Sequence, residues 1–223
     1  MDLDTIIRIT ARSLSRHGLV HAYGHCSARL NDTSFRVCPP MPMGLTPVGA
    51  ACTEVPVSGQ LPEGVLGEVR LHQQIYARDF EIGGVIRFMG PNLIALGALG
   101  RVPKMRHGFG CYFHPGAGYW NDPQLVRDED RAIGVIDAMG TSAGVVMRGN
   151  GAVVRARDLK QALVLAWYLE DAARVELAAL SAGLAEDAPT IDVAEAERRA
   201  TSSGGIFERM WDHLTHADPE YRL

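Results

Sequence analysis

The chain has 223 residues, 47% of them hydrophobic, with a formal net charge of −4 and a pI near 6.1. This length suits one domain whose core needs no disulfide or metal staple, and the mildly acidic balance excludes nucleic acid as the main partner. The four cysteines have no Cys-x-x-Cys spacing, the first residues do not read as a signal peptide, and no run reaches the roughly 20 apolar residues of a membrane span. The expectation is therefore a cytoplasmic protein with no membrane partner.

Leu3, Ile6, Ile7, Ile9 and Leu14 recur at helical spacing, which predicts a helix over residues 3–17 ended by Gly18. Residues 21–27 are short, polar and glycine-containing, a loop. Residues 27–30 and 34–38 read as strands around an Asn31-Asp32 turn. The Pro/Gly/Met-rich segment 39–50 is a loop. A helix follows over 67–79, with Leu71, Ile75 and Tyr76 on one face, then a buried strand over 83–88 and a small-residue helix over 92–99. Glycines and prolines without a period make 101–122 a long loop. A helix is expected over 126–139, strands over 144–147 and 152–155 around the Arg148–Gly151 turn, and a long alanine-rich helix over 158–181. Residues 1–181 then form the domain. Residues 182–203 are a polar linker with some helical character, so 182–223 form a linker and tail that packs, through Trp211 and Tyr221, on the domain or a neighbouring subunit. Short strands among several helices predict an α/β or α+β layered domain.

Four segments in this order carry a resemblance: GLVHAYGHCSARL, GEVRLHQQIY, GGVIRFMGPNLIALGALG and VVMRGNGAVVRARDLKQALVLAWYLEDAARVE. The chain resembles the class II aldolase/adducin head-domain family over roughly residues 5–180. The resemblance implies a three-layer α/β/α sandwich with a central, mostly antiparallel sheet. It also implies a homotetramer with active sites between subunits. Members of that family make or break carbon–carbon bonds as aldolases, epimerases or decarboxylases. Three histidines hold a divalent metal that polarises an oxygen, and a glutamate, here Glu68, moves a proton.

The chain departs from that pattern at the metal. The three histidine positions read Arg87, Met89 and Asn150. Arginine stays protonated and cannot ligate, and a catalytic divalent site needs about three protein ligands. No cofactor is expected. The phosphate loops depart too: Gly24-His25-Cys26-Ser27, Cys38-Pro39-Pro40-Met41 and Leu66-Gly67 lack most of the expected hydroxyl donors. A non-phosphorylated small-molecule carboxylate or oxo-acid fits better. The expectation is a metal-independent lyase or decarboxylase in which Arg87 and Asn150 stabilise charge and Glu68 is acid/base. His25, Ser27, His107 and Tyr112 are candidate substrate contacts. The loop RHGFGCYFHPGAGYW, with Phe109, Tyr112, Phe113, Tyr119 and Trp120, is a candidate lid or pocket wall.

Blander assignments stand beside these. Glu68 suits a helix N-terminus, Arg87 suits an ion pair with Glu68, and Met89 suits ordinary packing. His72 fits a hydrogen-bonded structural histidine. His25, His107 and His114 offer a relocated metal site, and a non-catalytic, adducin-like binding or assembly protein is the alternative to an enzyme.

Overall fold

A computed structural model describes residues 1–221. Its centre is a seven-stranded sheet in the order β3-β2-β1-β4-β7-β6-β5. The strands are β1 (His25–Arg29), β2 (Ser34–Val37), β3 (Thr53–Pro56), β4 (Gly84–Phe88), β5 (Gly118–Trp120), β6 (Gly144–Met147) and β7 (Ala152–Ala156). Every pairing is antiparallel except β5 with β6. A parallel pair needs a crossover, and α4 (Glu129–Met139) supplies it. The central strands β4, β6 and β7 are buried almost throughout, which explains their unbroken Val-Ile content.

Helices cover both faces. On one lie α1 (Leu3–Arg16), α3 (Pro91–Ala98) and the long α5 (Leu159–Ser181). On the other lie α2 (Arg70–Arg78) and α4. The result is the expected three-layer α/β/α sandwich. Strand alternation feeds each layer. In β1, Cys26 turns to α1, its thiol 3.6 Å from the Ile7 carbonyl, whereas Ser27 turns to α2 and meets His72. On β4, Gly84 lets the strand run under the start of α5; a Cβ there would lie 2.4 Å from the Leu159 nitrogen.

Several expected boundaries shift. The 21–27 loop ends at Gly24, because β1 begins at His25. The helix expected from 67 starts as a 3-10 turn, Gly67–Val69, before α2. The helix expected from 126 starts at Glu129, where the Asp128 side chain accepts from Arg131 N–H. The expected 101–122 loop hides the edge strand β5, and the stretch between the 39–50 loop and the 67–79 helix, for which no element was expected, forms the edge strand β3. Residues 182–221 carry α6 (Val193–Arg199) and α7 (Ile206–Thr215). Trp211 is buried against the domain, and Tyr221 donates to Asp212 at 2.8 Å. The last part of the expected tail, residues 222–223, lies outside the described residues. No helix among the described residues is long and apolar enough to cross a membrane.

Candidate active site

The sheet register builds the site. His25 on β1 lies opposite Arg87 on β4, so both side chains leave the sheet on the α2 side. Glu68 stands in the 3-10 turn at the head of α2. Its Oε2 is 3.8 Å from His25 Nε2 and 3.6 Å from Arg87 Nε. It therefore points at these two groups, and α2 has no side-chain cap. Arg87 Nη2 donates to Asn150 Oδ1 at 2.6 Å. Asn150 is presented by the β6–β7 turn, where Met147 N–H donates to Gly151 O at 2.8 Å and Asn150 N–H to Met147 O at 3.1 Å. Gly151 has φ +72°, and a Cβ there would lie 2.1 Å from the Phe88 carbonyl oxygen. Only glycine closes the turn this tightly.

His25, Glu68, Arg87 and Asn150 line a cleft of about 1000 Å³ whose walls also carry Tyr23, Pro40, Met41, Leu66 and Arg127. Met89, expected in ordinary packing, lines the cleft as well. Arg87 is 2% exposed, and its Nε and Nη1 have no hydrogen-bond partner among the described residues. Burial lowers the Arg87 pKa, with Glu68 opposing. Burial pushes the Glu68 carboxyl up, but His25, Arg87 and Arg127 outweigh it and hold the group below its ordinary range, so it stays ionised. At 3.8 Å the His25 contact is too long for a formed hydrogen bond. Burial lowers the His25 pKa; Glu68 opposes this and Arg87 adds to it, leaving a neutral ring at pH 7.

Ser27, an expected substrate contact, is fully buried beneath His25. It bonds His72 Nδ1 at 2.5 Å and the Tyr76 hydroxyl at 2.9 Å. His72 Nε2 is 2.7 Å from His25 Nδ1, so the expected structural histidine is hydrogen-bonded on both ring nitrogens. A signal for this cluster lay in the sequence: Glu68, His72 and Tyr76 are four residues apart, one side of a helix, and His25 and Ser27 are two apart, one side of a strand.

Tyr112 and His107 do not join the cleft within this chain. Tyr112 packs on Tyr168 of α5, ring centroids 5.3 Å apart, and donates to Thr201 O at 2.7 Å. His107 lies 3.8 Å from Asp171 of α5. The aromatic loop is no lid over this subunit's own cleft. Phe109 stacks on Tyr168 at 4.3 Å, Phe113 is buried, and Tyr119 donates to Gly97 O at 3.0 Å. Its aromatic density has a packing reason. His25, His107 and His114 do not converge, and among the described residues no group of three or more His, Cys, Asp or Glu side chains is placed to hold a metal ion.

Comparison with known proteins follows the same lines. A 3,4-dihydroxyphthalate decarboxylase from Arthrobacter keyseri is 28% identical, covering 93% of this chain and 90% of that one. An aldolase II superfamily protein from Pseudomonas syringae superposes with TM-score 0.80 at 19% identity, over 96% of this chain and 90% of that chain. An L-fuculose 1-phosphate aldolase from Glaciozyma antarctica PI12 superposes with TM-score 0.76 at 19% identity, over 99% and 92%. The family profile described as "Class II Aldolase and Adducin N-terminal domain" matches residues 7–177, a span that runs from α1 into α5 and holds every residue of the cleft. The chain therefore belongs to the class II aldolase and adducin N-terminal domain family.

Proposed function

We propose that the chain is a carbon–carbon lyase, a decarboxylase or aldehyde-lyase, acting without the family's divalent metal on a non-phosphorylated oxo- or hydroxy-carboxylate. The observation that carries this reading is Arg87, a buried guanidinium on the wall of an open cleft whose Nε and Nη1 have no hydrogen-bond partner among the described residues. Unpartnered buried donors call for an acceptor, and a fixed positive charge repels a cation. Guanidinium, thioether and amide together do not fit a divalent ion; they fit an anion. The Pro40, Met41 and Leu66 wall suits an apolar or aromatic body rather than a phosphate. The decarboxylase name of the Arthrobacter keyseri relative supports a hydroxy-aromatic or related carboxylate.

In this reading a substrate oxygen rests on Arg87. Asn150 Oδ1 accepts from Arg87 Nη2, so its amide N–H is the donor left for the cleft. When the carbon–carbon bond breaks, charge developing on that oxygen meets donors already in place. Glu68, ionised in the free cleft, starts as the base. The competing reading, a non-catalytic binding or assembly protein, draws on the Glu68–Arg87 pair at 3.6 Å. The open cleft above that pair favours the enzyme.

The test is a panel of oxo-acids and hydroxy-aromatic acids assayed for CO2 or aldehyde release, with elemental analysis of the untagged protein. Turnover with less than about a tenth of an equivalent of any metal is expected. Arg87→Ala should lower the rate about 10²–10³-fold; an undiminished rate sinks the reading. We further expect a cytoplasmic homotetramer, so light scattering should return four times the 24.2 kDa chain mass, and a monomer at assay concentration would refute that expectation.

A further inference from the structure

Beneath the cleft, four side chains form one continuous hydrogen-bonded wire: His25 Nδ1 to His72 Nε2 (2.7 Å), His72 Nδ1 to Ser27 Oγ (2.5 Å), Ser27 Oγ to the Tyr76 hydroxyl (2.9 Å) and Tyr76 to the Ser27 carbonyl (3.0 Å). All four residues are at most 2% exposed. The far end gives the wire its direction. A carbonyl only accepts, so the single Tyr76 proton goes to Ser27 O. The Tyr76 oxygen then accepts from Ser27 Oγ–H. Ser27 Oγ accepts from His72 Nδ1–H, and His72 Nε2 accepts from His25 Nδ1–H. Read this way, every link holds one proton. Read the other way, with Tyr76 O–H given to Ser27 Oγ, the Tyr76 oxygen and the Ser27 carbonyl oxygen would face each other at 3.0 Å with no proton between them. Burial keeps both rings neutral, as one proton per link requires. The near end is His25 Nε2, a buried atom with no hydrogen-bond partner among the described residues, on the wall of the cleft.

We propose that His25 carries the reaction's proton through Nε2, and that His72, Ser27 and Tyr76 are positioning residues that hold it as the Nδ1–H tautomer with a bare Nε2 facing the substrate. This rests on the lyase reading above and moves its acid/base role from Glu68 to His25. His25 Nε2 takes up a proton from the cleft. It returns that proton to the carbon whose bond to the carboxylate breaks: CO2 leaves, the bond's electron pair delocalises onto the oxygen resting on Arg87, and that pair returns to the carbon as the new C–H bond when Nε2–H gives up its proton. Glu68, 3.8 Å away, balances the imidazolium charge. The other charged or titratable groups facing His25 are Arg87 from β4, His72 from α2 and Cys38 just beyond β2.

Nitrogen-15 NMR of the histidine-labelled full chain reads the tautomers without any substrate. At neutral pH both His25 and His72 should be protonated at Nδ1 and bare at Nε2. On acidification the pair's first proton should appear at His25 Nε2. Tyr76→Phe removes the acceptor of Ser27 Oγ–H, so Ser27 turns to His72 and both rings flip to Nε2–H. A ligand-free His25 already protonated at Nε2, or a first proton taken by His72, overturns the proposal; the wild-type spectra decide this even if the Tyr76 variant does not fold. In turnover, His25→Gln should lose about 10²–10⁴-fold in kcat with KM changed by less than about threefold, and an unchanged kcat overturns the role of His25. Expected tautomers together with a wild-type protein that turns over no carboxylate would instead overturn the lyase reading and leave the wire standing.

Discussion

Arg87 carries an energetic cost that its own contacts do not offset. It is one of the largest fully buried side chains, yet two of its nitrogens find no hydrogen-bond partner among the described residues. Glu68, its charge partner, sits at the cleft wall with only 17% of its side chain exposed. Removing one partner of a buried pair leaves the other charge uncompensated and is destabilising, whereas replacing both by apolar groups of similar size is often neutral or stabilising. Arg87→Met alone should therefore lower unfolding stability by about 3 kcal/mol in urea titration, and Arg87→Met combined with Glu68→Met should recover most of that loss, while both variants abolish turnover. A double variant no more stable than the single one would show that the pair itself holds the fold. In the single variant Glu68 loses an attraction that lowers its pKa, so its carboxyl should titrate higher. Arg87, Glu68 and Asn150 were legible as a group from the resemblance. The part played by Ser27 was not, since one residue of register decides which sheet face a side chain takes.

At the scale of elements, the β6–β7 turn does most to aim the site. Gly151 needs both a positive φ and contact with the end of β4. Gly151→Ala should cost roughly 1–2 kcal/mol for the backbone conformation alone, and more for the clash. Because the turn carries Asn150, turnover should fall with stability; full activity at wild-type stability would show that the turn tolerates a side chain. The helices were readable because each buries a periodic apolar face, and the central strands because burial on both faces leaves them unbroken apolar runs. β3 and β5 were not. β3 is four residues with a proline at its end, and β5 is three residues inside a glycine-rich loop. Each becomes a strand because a neighbour supplies the hydrogen bonds, a cause outside its own sequence.

Across the whole molecule, the end of the chain is fastened back to its beginning. Arg12 of α1 grips Asp218 through Nε and Nη2 at 2.8 and 2.7 Å, and Arg8 grips Glu220 at 2.9 and 2.5 Å. Hydrogen bonds from Arg8, opposed by burial and reinforced by Arg12, hold the Glu220 carboxyl at about 2. Its unfolded value is about 4.3. Between these values the unfolded chain binds more protons, so stability rises with pH there. The clamp contributes fully above about pH 4.3 and fades as pH falls toward 2. Glu220→Gln should cost about 2 kcal/mol at neutral pH and flatten the acid limb of stability. Hydrogen exchange should show α7 loosening first. An acid limb identical to wild type would mean the clamp contributes nothing.

Periodicity and residue type, read along the chain, determined the layer class, most helices and the central strands, and the resemblance, not the pattern, singled out Arg87, Met89 and Asn150. The helices and strands follow from local pattern, because each declares its buried face in its own residues. Tertiary structure alone decided the rest: that His25 faces Arg87, that Ser27 lies beneath the cleft, that Tyr112 and His107 pack against α5, and that a four-residue wire ends at His25 Nε2. Those outcomes depend on strand register and on helices far apart in the chain meeting through the sheet. No window of sequence contains both partners of such a contact.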